Sequence, residues 1–405
     1  MLTKSDELFL QALGAALKNE AVFWDAPISS EDWLELLRLA EAHRVLPMIF
    51  QAVYASPAAK AADPAMMRRY RMYAMQMMVL QTRKTAEFLP LLEKMKNAGV
   101  HPLVVKGIIC RNLYPNPDHR LSSDEDILIL PEDFPAAHRC LTELGFTTRD
   151  PEEKSYELSY SRPGDPLLLE LHRSLFPEES KAYGGLNRFF EHVRNRAVEQ
   201  NGITTLDPTD HMLYLICHAF KHFLHSGFGI RQVCDMILYA NRYGREIRWD
   251  ALLENCRQIR AEQFAAGLFR IGWEYLGLSL EQSRLPVSWQ AVYVEEGPLL
   301  EDILRSGVYG SADEDRLHSS NITLQAVEKR NQPETGGSLL SAVFPSQEVM
   351  QKKYPYLKEK PMLLPIAWTD RILRYAKGES KASNTLKIGS DRVQLLEKYG
   401  ILDES

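Results

Sequence analysis

The chain has 405 residues, of which 45% are hydrophobic and 25% are charged, a composition typical of globular proteins that excludes a disordered or fibrous chain. At about 150 residues per domain, this length predicts two or three domains. The 48 basic and 54 acidic residues give a net charge of −6, which disfavours a protein dedicated to binding duplex nucleic acid. No apolar run approaches the length of about 20 residues that crosses a bilayer. The five cysteines contain no CxxC pair and fit a reducing compartment. We therefore expect a soluble, cytoplasmic protein without a membrane partner, of undetermined oligomeric state.

The first 100 residues have the periodicity of helices. Ser29, followed by acids at 31 and 32, predicts a helix start. A long helix rich in methionine is predicted over residues 64–97, and we expect its methionines to pack in the core.

The pattern changes near His101 to that of a mixed α+β unit. Short apolar or alternating runs bounded by turn residues predict strands. The predicted strands cover residues 101–105, 124–130, 156–160 and 167–172, and a helix is predicted over 131–145, which ends at Gly145.

Helical periodicity returns at Asp207, with helices predicted over 207–225, 230–243 and 249–276. Further along the chain, the polar residues 311–345 predict a loop or linker. We divide the chain into an N-terminal helical region (1–100), a core (101–205), a helical substrate-pocket region (206–310), an irregular loop or linker (311–345) and a C-terminal helical region (346–405).

Carboxylates mark the ends of two predicted strands in the core. Asp124 and Asp126 lie two residues apart and share a face of one strand, as Glu170 and His172 do on another. If these strands pair, three carboxylates converge, and oxygen ligands of this kind suit Mg²⁺. Asp124, Asp126 and Glu170 are therefore predicted as catalytic metal ligands for one or two Mg²⁺ ions. Two ions ~3.5–4 Å apart can orient an attacking hydroxyl and stabilise a leaving pyrophosphate.

The carboxylates belong to a longer series of motifs, which are Lys106-Gly107, Leu113-Tyr114-Pro115, Arg120, Asp124, Asp126 and Glu170-Leu171-His172. With these motifs, the segment resembles the DNA polymerase β-like nucleotidyltransferase superfamily, and more narrowly the bacterial family of uncharacterised nucleotidyltransferases. Weaker similarity extends over roughly residues 5–380.

The resemblance implies an α+β fold, with a small mixed-sheet nucleotidyltransferase core embedded in mainly helical N- and C-terminal regions. It also implies transfer of a nucleoside monophosphate from an NTP to an unknown hydroxyl-bearing acceptor, either a small molecule or a protein. Asp124 and Asp126 would hold Mg²⁺, and Glu170 would complete the metal site or act as base. The residues expected to bind the nucleotide are Lys106, Gly107, Arg120, Ser122 and Ser123.

Two other functions are consistent with the sequence. The pair Gly107-Ile108 departs from the Gly-Ser or Gly-Gly of active superfamily members, which would fit a catalytically weak or inactive nucleotide-binding regulatory or partner module. His211, His218 and His222 share one helical face, which would fit a helical metal-dependent hydrolase, although the sequence HExxH is absent. Otherwise these histidines pack in the core or, with His172, line a substrate pocket.

Overall fold

The computed structural model describes residues 2–149, 155–308, 314–331, 347, 350–351, 354–358, 360–376 and 379–403. A six-stranded mixed sheet is formed by the middle of the chain, and helices dominate the segments before and after it. This arrangement confirms the predicted α+β class with helical flanking regions.

The N-terminal region is helical, as predicted. Its helices are α1 (Lys4–Leu17), α2 (Ser30–Ala42), α3 (Leu46–Val53), α4 (Pro57–Ala61) and α5 (Pro64–Asn97). The side chain of Ser29 accepts a hydrogen bond from the backbone N–H of Asp32, which confirms the predicted start of α2.

The methionines of α5 are less buried than expected. Met72 and Met75 are 63% and 51% exposed, and the other four methionines between residues 66 and 78 are half-buried. The expectation that this series forms core is therefore wrong for Met72 and Met75. Periodicity identified the helix but not how much of its circumference is covered.

The strands of the sheet follow the order β3-β4-β2-β1-β6-β5. Their bounds are β1 (Leu103–Val105), β2 (Glu125–Leu128), β3 (Glu157–Ser161), β4 (Leu168–His172), β5 (Val198–Gln200) and β6 (Ile203–Thr205). Strands β2 and β4 are parallel neighbours in a register that places Asp126 opposite Glu170. Helix α6 (Gly107–Arg111) follows β1, and helix α7 (Phe134–Glu143) follows β2.

The hairpin of β5 and β6 is absent from the sequence-based prediction. Its turn contains Asn201 and Gly202, with φ angles of 52° and 78°. An Asn-Gly pair is a strong hairpin signal because both residues tolerate positive φ. The signal was therefore present in the sequence, but the flanking strands are short.

The C-terminal half is built from helices around α8 (Pro208–His225). The others are α9 (Ile230–Tyr243), α10 (Trp249–Gln258), α11 (Glu262–Tyr275), α12 (Leu280–Ser283), α13 (Val287–Gln290), α14 (Glu296–Ser306), α15 (Glu314–Asn331), α16 (Leu364–Ala376) and α17 (Glu379–Lys398).

Two predictions in this half need correction. The helix predicted over 249–276 is divided into α10 and α11, because Arg260 takes a left-handed conformation with φ 55°. The irregular segment predicted over 311–345 is wrong for α15, which packs against α8 and α17. Residues 311–313 and 332–345 of that prediction lie outside the described residues.

One contiguous hydrophobic cluster extends from Phe9 to Ile401 and includes side chains of the helices and of the sheet. A second, small cluster forms around Tyr354 and Leu357. The proposed domain boundaries stay predictions. Within the described part of the chain, none of the helices has both the length and the hydropathy of a bilayer-spanning segment.

Candidate active site

The parallel pairing of β2 and β4 brings Asp126, Glu170 and His172 together. One potential ligand atom from each of these side chains lies within 4.8 Å of the other two, and the described residues contain no other group of this kind. His172 Nε2 lies 3.1 Å from Asp126 Oδ1 and 3.8 Å from Glu170 Oε2. Two of the three predicted metal ligands therefore converge, and His172 joins them.

Asp124 is not part of this trio. It lies immediately before β2 and is half-buried. Burial raises the pKa of its carboxyl group, and the nearby charge of Asp126 raises it further. Asp124 therefore influences the trio electrostatically, and its predicted role as a metal ligand stays a prediction.

Asp126 is ionised because of its neighbours. Burial alone would raise the pKa of this carboxyl group, but the charge of Lys106 and the hydrogen bond from His172 outweigh burial and hold the pKa well below its usual range. Lys106 Nζ lies 2.9 Å from Asp126 Oδ2 in a pair with little solvent exposure.

The backbone of Lys106 is unusual. Its φ of 56° and ψ of −112° fall outside the regions that favour L-residues. Its N–H donates to His211 Nε2 at 3.1 Å, and His211 Nδ1 lies 3.4 Å from the hydroxyl of Thr205. Burial lowers the pKa of His211 to about 3, so this ring is a neutral acceptor. His211 thus supports the backbone from which Lys106 reaches Asp126.

His218 contacts the other end of Lys106. Its Nε2 lies 3.1 Å from Lys106 Nζ, and its Nδ1 lies 3.3 Å from Gln232 Oε1. A lysine ammonium only donates, so Nε2 accepts from Lys106 while Nδ1–H donates to Gln232. Burial, followed by the charge of Lys106, lowers the pKa of His218 well below its ordinary value.

The predicted histidine face therefore differs from a zinc site. His211 and His218 use their ring nitrogens in contacts with Lys106, Thr205 and Gln232. Among the described residues, no metal-ligating group contains His211, His218 or His222. The helical hydrolase thus receives no support from this face.

Gly107 was expected to let a phosphate approach the start of α6. Instead, Glu125 Oε2 accepts a hydrogen bond from the N–H of Ile108 at 3.0 Å. A Cβ on Gly107 would overlap this carboxylate, and Gly107 has a φ of 22°. Glycine suits this position because a larger residue would overlap Glu125 and would have to adopt a positive φ. The predicted phosphate contact of Gly107 stays a prediction.

Arg120 was expected to bind the triphosphate, and the structure places it elsewhere. Its Nε and Nη2 donate to the two carboxylate oxygens of Asp235 at 2.8 and 2.7 Å. Tyr114 donates its hydroxyl to the same carboxylate at 2.8 Å. Arg120 and Asp235 are fully buried, and the predicted contact of Arg120 with a nucleotide stays a prediction.

Ser122 and Ser123 are likewise bound by protein groups. The N–H of Ser122 donates to Gln81 Oε1 at 2.8 Å, and its hydroxyl accepts from Arg111 at 2.8 Å. The hydroxyl of Ser123 accepts from Arg44. These contacts order the loop before β2, and the predicted contacts of the two serines with a nucleotide stay predictions.

Lys221 interacts electrostatically with Asp126 and Glu170 and is absent from the residues predicted from the sequence. Its Nζ lies 5.7 Å from the centre of the Tyr156 ring. Burial lowers the pKa of Lys221, while the charges of Glu157, Asp126 and Glu170 oppose that shift. Lys221 follows His218 by three residues on α8, and this spacing was the available signal.

Glu170 is an acid near Lys221 whose pKa is raised to near neutrality. Burial, followed by the charges of Asp126, Asp124 and Glu157, raises its pKa to about 7. A carboxyl group with such a pKa exchanges protons near neutral pH, which is the property required of a general base.

The comparisons with known proteins give one match. The model of a family described as uncharacterised nucleotidyltransferase matches residues 29–277. This interval includes every strand of the sheet and the helix α8. Searches of the curated proteins and of the solved structures return no match.

Proposed function

Because the chain belongs to the uncharacterised nucleotidyltransferase family, we propose that it transfers a nucleoside monophosphate from an NTP to a hydroxyl-bearing acceptor with the help of Mg²⁺. The observation that carries this proposal is the convergence of Asp126, Glu170 and His172 on two parallel strands. The site lies beside Lys106 and Lys221, whose charges complement a polyphosphate.

The donor set fits a hard divalent cation. Asp126 and Glu170 supply carboxylate oxygens, which Mg²⁺ prefers, together with waters and substrate phosphates. His172 donates to Asp126 and orients it, as outer ligands commonly do, or binds the cation itself. When bound, the cation supplies stabilisation of negative charge on the transferring phosphoryl group and on pyrophosphate.

Glu170 has two alternative roles in this proposal: it either completes the metal site or, when it does not bind the cation, acts as the base that takes the proton of the acceptor hydroxyl. A pKa of about 7 leaves part of the population ionised at neutral pH and ready to take a proton from a hydroxyl. The proton then resides on a Glu170 oxygen, the hydroxyl oxygen forms a bond to the α-phosphorus, and the bond from the α-phosphorus to the oxygen that bridges it to the β-phosphorus breaks, which releases pyrophosphate. Glu170 and Asp126 are adjacent, so the base lies beside the metal ligand.

The charges of the NTP require cations, and Lys106 and Lys221 provide them. Both side chains contribute to the electrostatics of Asp126. Lysine acts on a phosphate as a point charge that follows the moving oxygens. Arg120 is left out of this proposal because its guanidinium is paired with Asp235.

Side chains beside Lys221 are candidates for contact with the acceptor. Tyr156 and His222 lie beside Lys221 and would contact the acceptor. Both a small molecule and a protein side chain remain within the proposal.

Label transfer tests the proposal. The full chain is incubated with Mg²⁺ and each of the four α-³²P-labelled NTPs, with cell extract as the source of acceptor. We expect label on an acceptor and release of unlabelled pyrophosphate. Asp126→Asn and Glu170→Gln abolish transfer, whereas the matched control Glu132→Gln, at an exposed acid outside the site, retains it.

The same experiment distinguishes the alternative of a weak or inactive nucleotide-binding module. That alternative is favoured by Glu125, which occupies the N-terminus of α6. It predicts saturable NTP binding by the wild type without transfer of label. A protein that neither binds an NTP nor transfers label would exclude both functions.

A further inference from the structure

Lys106 occupies a position that conflicts with a cation at Asp126. Its ammonium lies 2.9 Å from Asp126 Oδ2, which is one of the oxygens available to a metal. The other oxygen, Oδ1, accepts from His172 Nε2 at 3.1 Å. Both oxygens of this buried carboxylate therefore have partners within the protein.

We propose that Lys106 is a built-in counter-ion that competes with the divalent cation for Asp126, and that His211 and His218 hold it in the competing position. The inference rests on the proposed function only in assuming that the trio binds a divalent cation. Metal binding then requires the Lys106 ammonium to move from Asp126 toward another anion. The phosphates of an NTP provide that anion, so metal and nucleotide favour each other's binding.

The geometry around Lys106 supports a held rather than an incidental position. The unfavourable backbone at Lys106 persists because its N–H is bound by His211. The side chain is 93% buried and its ammonium is also bound by the neutral ring of His218. A lysine on a flexible surface would satisfy none of these conditions.

The histidine face of α8 acquires a function through this inference. His211 and His218 lie seven residues apart on one face and contact the two ends of the same residue, the backbone and the ammonium of Lys106. Neutral histidines suit this task because they accept hydrogen bonds without adding a positive charge beside Lys106.

Direct measurement of Mn²⁺ binding by electron paramagnetic resonance tests the inference without any transfer reaction. The probe is Mn²⁺ alone, added to the full chain. Lys106→Met is expected to bind Mn²⁺ about tenfold more tightly than the wild type, a change of the size produced by altering a metal ligand's outer partners. His211→Phe, which keeps a ring but loses the acceptor, should give a smaller increase.

Three controls isolate the direct competition. Lys106→Arg keeps the positive charge and should bind Mn²⁺ as the wild type does. Lys221→Met removes a positive charge that interacts with Asp126 electrostatically, without the 2.9 Å contact that Lys106 makes. This variant should therefore raise the affinity for Mn²⁺ less than Lys106→Met does. In Lys106→Met combined with Asp126→Asn, the gain should disappear. Circular dichroism and thermal unfolding verify that each variant folds, and Lys106→Gln replaces Lys106→Met if the latter does not.

The inference is overturned if removal of the Lys106 charge leaves Mn²⁺ affinity unchanged or lowers it, or if neither protein binds Mn²⁺. It is also overturned if the gain survives in the double variant. Label transfer is measured separately. A gain in Mn²⁺ affinity without any transfer would reject the proposed activity alone, and transfer without that gain would reject the inference alone.

Discussion

Glu125 and Asp126 are consecutive on β2, both are buried, and they face opposite sides of the sheet. The carboxylate of Glu125 is saturated by Ile108, Arg111 and Ser122. The carboxylate of Asp126 belongs to a cluster in which Glu170 is half-buried. Protein groups therefore satisfy the carboxylate of Glu125 on one side of the sheet. On the other side, the negative charges of Asp126, Asp124 and Glu157 repel the carboxylate of Glu170.

The difference shows that burial and charge do not by themselves identify a functional acid. A closed set of hydrogen bonds holds the loop and helix together, as Arg120 and Asp235 do with Tyr114. In an acidic cluster, by contrast, repulsion between carboxylates raises the pKa of a member such as Glu170. Binding of a cation or a proton then reduces this repulsion. The following variants test this contrast.

Removal of Glu125, the acid whose carboxylate is bound by protein groups, should have the largest effect on stability. Glu125→Ala leaves the fully buried Arg111 without its carboxylate and should lower the free energy of unfolding by about 3–5 kcal/mol. Glu170→Ala should change it by less than about 1 kcal/mol, because the lost side chain is repelled by its neighbours. Urea unfolding measures both, and equal losses would contradict the contrast.

Removal of a charge from the hydrogen-bonded group of Arg120, Asp235 and Tyr114 should lower stability somewhat less. Asp235→Asn keeps the volume and one acceptor oxygen, but leaves Arg120 with an uncompensated charge, and should cost about 3 kcal/mol. The exposed-acid control Glu132→Gln should leave stability unchanged. If Asp235→Asn were as stable as that control, the Arg120 pair would not hold the fold.

Gly107→Ala tests the close approach of Glu125. A Cβ would meet the carboxylate of Glu125 in addition to the strain of a positive φ, so we expect a loss of about 2 kcal/mol in unfolding free energy. Gly99→Ala is the matched control, because Gly99 has φ 78° but no atom within 4 Å of a built Cβ, and it should lose about 1 kcal/mol. A thermal unfolding series that ranks Gly99→Ala as the more damaging change would contradict this explanation.

Titration of Glu170 should make the free energy of unfolding depend on pH. We expect this to be the smallest of the predicted effects. Its pKa is raised from about 4.5 to about 7, so the folded protein retains a proton that the unfolded chain loses. This contribution is fully present below pH 4.5 and is lost as the pH rises through 7, with an expected change of about 1 kcal/mol after solvent screening. Urea unfolding in EDTA at pH 5 and pH 8 should show a more unfavourable change in the wild type than in Glu170→Gln, and the difference between the two proteins isolates Glu170 because they share all other titrating groups.

Much of the fold was accessible from the sequence because local signals are strong in this chain. The bounds of α5 and α9 follow from helical periodicity and proline, and strand β4 lies within one residue of its prediction. The division between α10 and α11 depends on a left-handed Arg260, which carries no residue-type signal. Exposure of Met72 likewise depends on what packs around α5.

The candidate site was partly predictable for the same reason. Alternation along a strand places Asp124 and Asp126 on one side, and Glu170 and His172 on one side of another strand. The sequence did not show which strands are neighbours. The structure shows that β2 and β4 are parallel neighbours, which brings Asp126 and Glu170 together. Lys221 was missed because its helix approaches the sheet only in the folded chain.

By itself, the sequence determined the residue types, their spacing and the resemblance to a nucleotidyltransferase family, because these depend only on local order along the chain. Tertiary structure alone decided the partners of the charges. Lys106 and Arg120 were equivalent candidates for phosphate until folding buried Arg120 against Asp235, 115 residues away, and placed Lys106 on Asp126. Electrostatic interactions fall off with distance in space, and distance in space between remote residues is set only when the chain folds.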